Sequence, residues 1–344
     1  VLTCVGVTKS YGSTSVLRGV DLTVRPGQVL GLVGSNGAGK TTLISIAAGL
    51  RTADAGAVTI TDPRGRTVDA LRDPRAAARL VGLAPQTLGI YPMLTVAQNL
   101  RTLGELSGLT PAAARTRALE VAESIDLTDK LGAKAETLSG GQARRLHTGM
   151  ALLHRPRVLF LDEPTVGADV AARRAILDVV RTLAAQGAAV VYTTHYLTEL
   201  VDLGADVAIL HEGRIVLEAP VERVLAEHAR PVVGLVLDGT QPAAADLPGW
   251  RPVAAVADPS APDATGPDAR CGTRWEPEPA LLDAHDPTAL VTAALARLVP
   301  ATRLRAIEIA PPSLDSAFLA LTGRQLDAAV DPAALTQETA DVLA

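Results

Sequence analysis

An α/β fold built on a largely parallel sheet is the architecture this sequence predicts, and three observations predict it. Short, mainly apolar runs at Val29–Val33, Val158–Leu161 and Val190–Thr194 read as buried strands. Helix-patterned stretches separate them, as crossover connections between parallel strands require. The first run leads into a glycine-rich loop and the second ends in two adjacent carboxylates, so polar groups arrive at the strand ends where such sheets bind ligands.

Bulk properties narrow the function classes. A chain of 344 residues is long enough for about two domains. Hydrophobic content is 48% but aromatics are only 2%, so the core must be packed from Ala, Val and Leu. The formal net charge of −5 and the lack of a basic run argue against a nucleic-acid partner. The pairs Arg144/Arg145 and Arg173/Arg174 read as solvated helix faces. Cys4 and Cys271 make neither a disulfide framework nor a ligand pair, which suits a reducing compartment. The six histidines have no metal spacing. No apolar run approaches the roughly 18–20 residues that cross a bilayer, so the chain reads as soluble.

Along the chain, a helix is expected over Thr41–Leu50 after the glycine-rich loop. From about 88 to 151 the strand–helix rhythm gives way to a helical subdomain inserted in the α/β core. Thr110 and Pro111 supply an N-cap and first helical position there. Between the second and third strands a helix carries Ile176, Val180, Leu183 and Ala184 on one face, with Gly187 fitting its C′ position. Val207–Leu210 and Arg214–Leu217, joined through Glu212 and Gly213, read as a closing hairpin. The first domain is therefore placed at 1–228. A small α+β accessory domain follows at 229–324. Within it 241–287 is rich in Pro, Ala and Asp and reads as a linker, followed by a helix (Thr288–Val299), a strand (Thr302–Ile309) and a helix (Ser313–Thr322). Residues 325–344 read as a loose tail.

Three strings carry the chemistry. Gly34-Ser35-Asn36-Gly37-Ala38-Gly39-Lys40-Thr41 has the spacing of a phosphate-binding loop, with a strand before it and a helix after it. Its glycines let backbone amides wrap phosphates, Lys40 brings a fixed positive charge, and the Thr41 hydroxyl can ligate Mg²⁺. At the end of the second strand, Asp162 would hold Mg²⁺ and Glu163 would polarise a water attacking the γ-phosphate. Leu138-Ser139-Gly140-Gly141-Gln142 opens another helix with Leu146, Met150 and Leu153 on one face. Two glycines and a hydroxyl at a helix start suit an anion, yet the string lies about a hundred residues from the chain's own phosphate loop. Read alone, it is equally a Ser/Gly turn that caps a helix.

Taken in order, the phosphate loop, LSGGQ and Asp162-Glu163 resemble the ATPase subunits of ATP-binding cassette (ABC) transporters over about residues 1–228. The resemblance implies a P-loop NTPase core with a mostly parallel sheet, an antiparallel β subdomain and the helical insert. It implies ATP and Mg²⁺ on Lys40, Thr41, Thr42, Gln86 and Asp162, with Gly34 to Gly39 around the phosphates. Tyr11 resembles the aromatic that stacks on adenine, its plain alternative being local packing. Gln86, in Leu83-Ala84-Pro85-Gln86, resembles the glutamine that senses Mg²⁺ and the attacking water; otherwise it is a polar loop residue. His195 resembles the histidine that contacts the γ-phosphate and holds Glu163. Asp169 matches an acid that crosses a dimer interface, and it also fits a helix N-cap. The resemblance gives Ser139, Gly140, Gly141 and Gln142 to the ATP of a second copy. The sequence departs from the usual pattern at Ser35, Ala168 and Val170, which bear on loop stiffness.

The ending Pro312-Ser313-Leu314-Asp315-Ser316-Ala317-Phe318-Leu319-Ala320-Leu321-Thr322-Gly323 resembles ATPases of the ABC-2-type, daunorubicin-resistance exporter group, as does Thr193-Thr194-His195-Tyr196. Implied is an ATPase at the cytoplasmic face of the cell membrane, peripheral, working as a homodimer or with a paralogous partner. It would power a separate integral-membrane permease that exports a drug, an antibiotic or another hydrophobic compound. Two other members of the family are weighed against it. An importer ATPase often ends in a β-barrel, which the Pro/Ala/Asp linker and helical ending do not suggest. Soluble ABC ATPases carry two cassettes or a long coiled-coil insertion, and this chain has neither.

Overall fold

The computed structural model describes residues 2–62, 64–243, 245–256, 272–298 and 302–323. They form two compact units that divide between Val224 and Leu225.

The first unit opens with strands β1 (Leu2–Tyr11) and β2 (Thr14–Val24), which turn at Gly12, and β3 (Val29–Val33), every residue of which is buried. Helix α1 (Lys40–Ala47), strands β4 (Ala55–Thr61) and β5 (Thr67–Asp69), helix α2 (Pro74–Ala78) and strand β6 (Val81–Ala84) follow. The α1 helix stops three residues before the expected Leu50 because Gly49 turns into the left-handed region, φ 73°. The insert holds α3 (Val96–Leu106), α4 (Pro111–Ser124) and α5 (Gly140–Met150). After it come β7 (Val158–Asp162), α6 (Val170–Ala185), β8 (Ala189–Thr193), α7 (Thr198–Leu203), β9 (Asp206–His211) and β10 (Arg214–Pro220), and the division falls within α8 (Val221–His228).

Two sheets result. β2-β1-β4-β5 is antiparallel, and the larger sheet runs β10-β9-β3-β8-β7-β6. Only the β9–β10 hairpin in the larger sheet is antiparallel; all its other pairs are parallel. One apolar core joins the two, with Leu17, Val20 and Ile60 from the first and Leu30, Leu32, Phe160 and Val191 from the second. This order sets β3 beside β8 and β8 beside β7, so three adjacent parallel strands end on the same side.

The insert is defined by its caps. Thr95 and Gln98 form a capping box at α3, and Thr110 caps α4 with Pro111 at the first helical position. Small residues let the helices close up: a Cβ on Gly104 would lie 3.2 Å from that of Ala114, and one on Gly149 would lie 2.6 Å from Ile125 Cδ1.

The second unit is an antiparallel sheet with helices. It contains β11 (Val232–Gly239), β12 (Trp250–Val256), β13 (Gly272–Pro277), α9 (Pro279–Ala284), α10 (Pro287–Leu295), β14 (Thr302–Ala310) and α11 (Leu314–Thr322), with strand order β12-β13-β11-β14. The linker expected at 241–287 is thereby corrected, since two strands and a helix lie within it. Composition misled because the structure-forming signal is two residues, not an average: Trp250 and Trp275 are the chain's two tryptophans, and both are buried with Val233, Leu235, Leu290 and Val291. Trp275 Nε1 also donates to Gln241 Oε1 at 3.0 Å. Cys271 and the expected tail at 325–344 lie outside the described residues.

Replacing Trp275 by Ala removes a large buried ring and a satisfied donor, and should cost about 3–5 kcal/mol of stability in this unit. Thermal unfolding followed by the fluorescence of Trp250 should then show an early transition, and an unchanged melting curve would contradict this packing.

Candidate functional site

The phosphate loop is shaped by what lies behind it. A Cβ on Gly34 would sit 2.5 Å from the Leu210 carbonyl oxygen, and one on Gly39 would sit 2.8 Å from Leu17 Cδ2. Gly37 and Gly39 also adopt positive φ, 78° and 107°, where only glycine is unstrained. Ser35, Asn36 and Gly37 thus line the outer turn, with Ala38 packed inward. Lys40, the first residue of α1, is 8% exposed, and its Nζ donates to the carbonyls of Gly34 (2.5 Å) and Ser35 (3.2 Å). The loop therefore holds its own cation across its mouth. Thr41 and Thr42 follow in the first turn of α1.

The acids stand at the end of β7. Thr41 Oγ1 lies 3.3 Å from Asp162 Oδ2, and Thr193 Oγ1, at the end of β8, donates to Asp162 Oδ1 at 2.6 Å. Glu163 takes φ 53°, a left-handed conformation that costs a non-glycine residue about 1–3 kcal/mol. Thr193 offsets that cost: the Glu163 amide donates to its Oγ1 (3.0 Å) and to its carbonyl (3.2 Å). The carboxylate, almost fully buried, is gripped from both sides. Gln86 Nε2 donates to Oε2 at 2.6 Å, and His195 Nε2 lies 2.6 Å from Oε1, which places the ring proton on that nitrogen.

These contacts bring Gln86, Asp162, Glu163 and His195 into one cluster, with Asp162 reaching Thr41 in the turn after Lys40. The donor set fits Mg²⁺. A hydroxyl and a carboxylate oxygen face each other, and among the described residues no group of three or more His, Cys, Asp or Glu could hold a metal by itself. Mg²⁺ suits such sparse sites because it keeps waters and shares substrate phosphates.

The remaining candidates lie at helix and strand ends. Ser139 and Gln142 form a capping box at α5, the Ser139 hydroxyl accepting from the Gln142 amide and the Gln142 side chain from the Ser139 amide. Ser139 and Gly140 are exposed, and the first amides of a helix have no intrahelical partner. Gly141 has a second reason to be glycine, since its Cβ would come within 2.6 Å of Ala172 on α6. Asp169 caps α6 through the Ala172 amide at 2.7 Å. Tyr11 is 42% exposed, with Lys9 Nζ 5.6 Å and the Arg51 guanidinium 5.9 Å from its ring centroid, and Arg51 donates to its hydroxyl.

Three of the four paired arginines are not solvated as expected. Arg144 on α5 donates to the Gln86 carbonyl (2.7 Å) and the Val166 carbonyl (3.3 Å), tying the LSGGQ helix to both loops that flank the acids. Its pKa is lowered by burial, against which the Glu163 charge acts. Arg145 binds Asp126 and Arg173 faces Glu199, leaving Arg174 exposed. Their partners are distant in sequence, so spacing gave no signal for them.

The sequence profile of the family described as ABC transporter matches residues 17–166. The chain is 34% identical over 325 residues to the daunorubicin resistance ATP-binding protein DrrA2 of Streptomyces coeruleorubidus, covering 93% of this chain and 94% of that protein. It is 34% identical to the Nod factor export ATP-binding protein I of Ralstonia nicotianae (strain ATCC BAA-1114 / GMI1000), covering 95% of each. The linearmycin resistance ATP-binding protein LnrL of Bacillus subtilis (strain 168) is 38% identical over 210 residues, 61% of this chain and 66% of that protein. Among solved structures, an ATP-binding subunit of an ABC transporter superposes with a TM-score of 0.59 at 27% identity, covering 66% of this chain and 92% of that one.

One buried group near the cluster titrates in a useful range. His147 on α5 is 5% exposed, and burial first, then the charge of Arg144, lower its pKa from 6.5 to about 4. The folded chain holds this ring neutral, so the unfolded chain binds the extra proton between those values. The stabilisation is complete above pH 6.5 and is lost as pH falls towards 4, roughly 3 kcal/mol in all. In urea titrations at pH 7 and pH 4.5, His147→Gln should lose less stability on acidification than the parent chain. Equal losses would contradict a neutral buried ring.

Proposed function

This chain belongs to the ATP-binding subunits of ABC transporters, and on that premise we propose that it hydrolyses ATP to drive export through a separate membrane permease. The observation that carries the reading is Glu163 clamped between Gln86 and His195 beside Asp162, in a chain similar almost end to end to resistance and export ATP-binding proteins.

ATP lies with adenine on Tyr11 and its phosphates in the loop from Gly34 to Gly39. Lys40 turns from its own carbonyls to the β- and γ-phosphates, and Thr42 adds a hydroxyl. When bound, Mg²⁺ neutralises phosphate charge, held by Thr41 and Asp162 with Gln86 facing it. Glu163 takes a proton from the attacking water as that oxygen bonds to the γ-phosphorus and the bond to the β-phosphate oxygen breaks, leaving ADP and phosphate. His195 then shares its Nε2 proton with the γ-phosphate while keeping Glu163 in line.

One copy supplies those groups, and a second copy supplies Ser139, Gly140, Gly141 and Gln142 at the exposed start of α5. Asp169 reaches across the same interface. The second copy is this chain or a paralogue. Arg144 supports coupling, because it ties the LSGGQ helix of each copy to that copy's own Gln86 loop. Leu88, Tyr91 and Met93, exposed by 37%, 47% and 65% just beyond Gln86, give the permease an apolar place to dock. The chain works as a peripheral subunit at the cytoplasmic face of the permease; no helix among the described residues is long and apolar enough to cross a membrane. The cargo is a drug, an antibiotic or another hydrophobic compound; the relatives' names speak of daunorubicin and linearmycin resistance and of Nod factor export.

Glu163→Gln keeps the shape of the cluster but removes the proton acceptor, and should cut steady-state ATP turnover by about a hundredfold or more. ATP should still bind, and an ATP-dependent dimer should accumulate on gel filtration. Turnover at the parent rate would sink the assignment of Glu163.

A further inference from the structure

A buried carboxylate that the reaction above does not use stands just beyond His195. Glu199, on α7, is 1% exposed. Its Oε2 accepts from the Tyr192 hydroxyl at 2.9 Å and from Thr194 Oγ1 at 2.7 Å. Its Oε1 faces Arg173 Nε at 3.3 Å, without the alignment of a hydrogen bond, so that contact is Coulombic. The Arg173 guanidinium also lies 4.2 Å from the centroid of the Tyr196 ring, and the Tyr196 amide donates to Thr194 Oγ1 at 2.9 Å. Residues 192, 194 and 196 are thus all fixed by one network, and His195 sits in the middle of them.

The other end of the network is α6. Arg173 lies in its first turn, and the Arg173 amide donates to the Asp169 carbonyl at 2.9 Å. Two hydroxyl donors alone would be served as well by a neutral glutamine as by a glutamate. The negative charge has its reason in Arg173. Glu199 is buried while Arg173 stays partly exposed; removing the arginine would leave a buried carboxylate without its counter-charge, so the two segments they join are held in fixed relation.

We infer that Glu199 is a positioning residue for hydrolysis: through Arg173 it locks the segment that carries His195 to the helix that begins at Asp169. The γ-phosphate contact of one site and the contact that this copy offers to the other site then move as a unit. The link to a second site rests on the two-copy reading above; the positioning of His195 does not.

A double-mutant cycle separates this from a merely structural role. Glu199→Gln should lower kcat for ATP about tenfold or more while leaving KM unchanged, as expected when a reacting group is misplaced. In a His195→Ala background, measured as slow single-turnover rates, the same substitution should cost nothing further. The Hill coefficient for ATP should also fall towards one. Arg173→Gln, at a partly exposed position, should repeat all three results and keeps the test open if Glu199→Gln folds poorly. Equal fractional losses with and without His195 would overturn the inference, as would parent kcat in both variants. A parent chain that hydrolyses ATP as a monomer without cooperativity would fail the two-copy reading instead, and with it the link to a second site. The His195 cycle would still decide the positioning.

Discussion

One hydroxyl group, Thr193 Oγ1, fixes the geometry on which the rest of the site depends. It donates to Asp162 and accepts from the amide of Glu163, so two consecutive acids are set by a single atom at the end of the neighbouring strand. Glu163 would not hold a left-handed backbone for its own sake. The conformation persists because β7 and β8 are paired in parallel up to Asp162 and Thr193, which brings the hydroxyl to the turn. Strain here is a consequence of register. It points the Glu163 side chain at Gln86 and His195, away from the strand direction that Asp162 follows.

From that point the site builds outward through groups that arrive from different elements. β3 brings the phosphate loop, β7 the acids, β8 and the turn after it Thr193 and His195, and the segment after β6 brings Gln86. Each lies at the carboxyl end of its strand, where parallel α/β sheets bind ligands, so all four converge on one side of the sheet. The helical insert joins this set through Arg144, whose guanidinium binds the Gln86 loop on one side and the turn after Glu163 on the other. A displacement of α5 is thereby felt at both loops. A helix that starts with exposed Ser139 and Gly140 and is tied in this way can report contact with another molecule to its own Gln86–Glu163 cluster.

The local features were legible from sequence because each is a short-range device. The phosphate loop, the acids after a buried strand, the Thr110–Pro111 start and the Ser139 cap are each recognisable from neighbours within a few residues, although Thr193 sets the final geometry of the acids. Asp169 as a helix cap was open to the sequence for the same reason. The connections were not legible. Arg144 meets Gln86 and Val166, and Arg173 meets Glu199, across tens of residues, so spacing alone makes both arginines solvated helix faces and gives no reason for a buried charge at Glu199. The segment 241–287 was read by average composition, which hid the strands that Trp250 and Trp275 anchor. His147 has Arg144 three residues before it on the same helix, but nothing local in the sequence shows that its ring is buried.

Ser139 and Lys40 sit at opposite ends of this logic, one at an exposed helix start and the other inside a closed loop, and the account holds that they serve different nucleotides in different copies. Mixing two inactive chains tests this most directly. Lys40→Ala damages the phosphate loop and Ser139→Arg damages the helix start, and each alone should lack ATPase activity. A dimer of one with the other holds one site with both halves intact. An equimolar mixture with random pairing should therefore recover about a quarter of parent activity if the sites act independently, with the exchange time of the subunits. A mixture as inactive as either chain, with mixed dimers shown to form, would contradict the claim that each chain carries two half-sites.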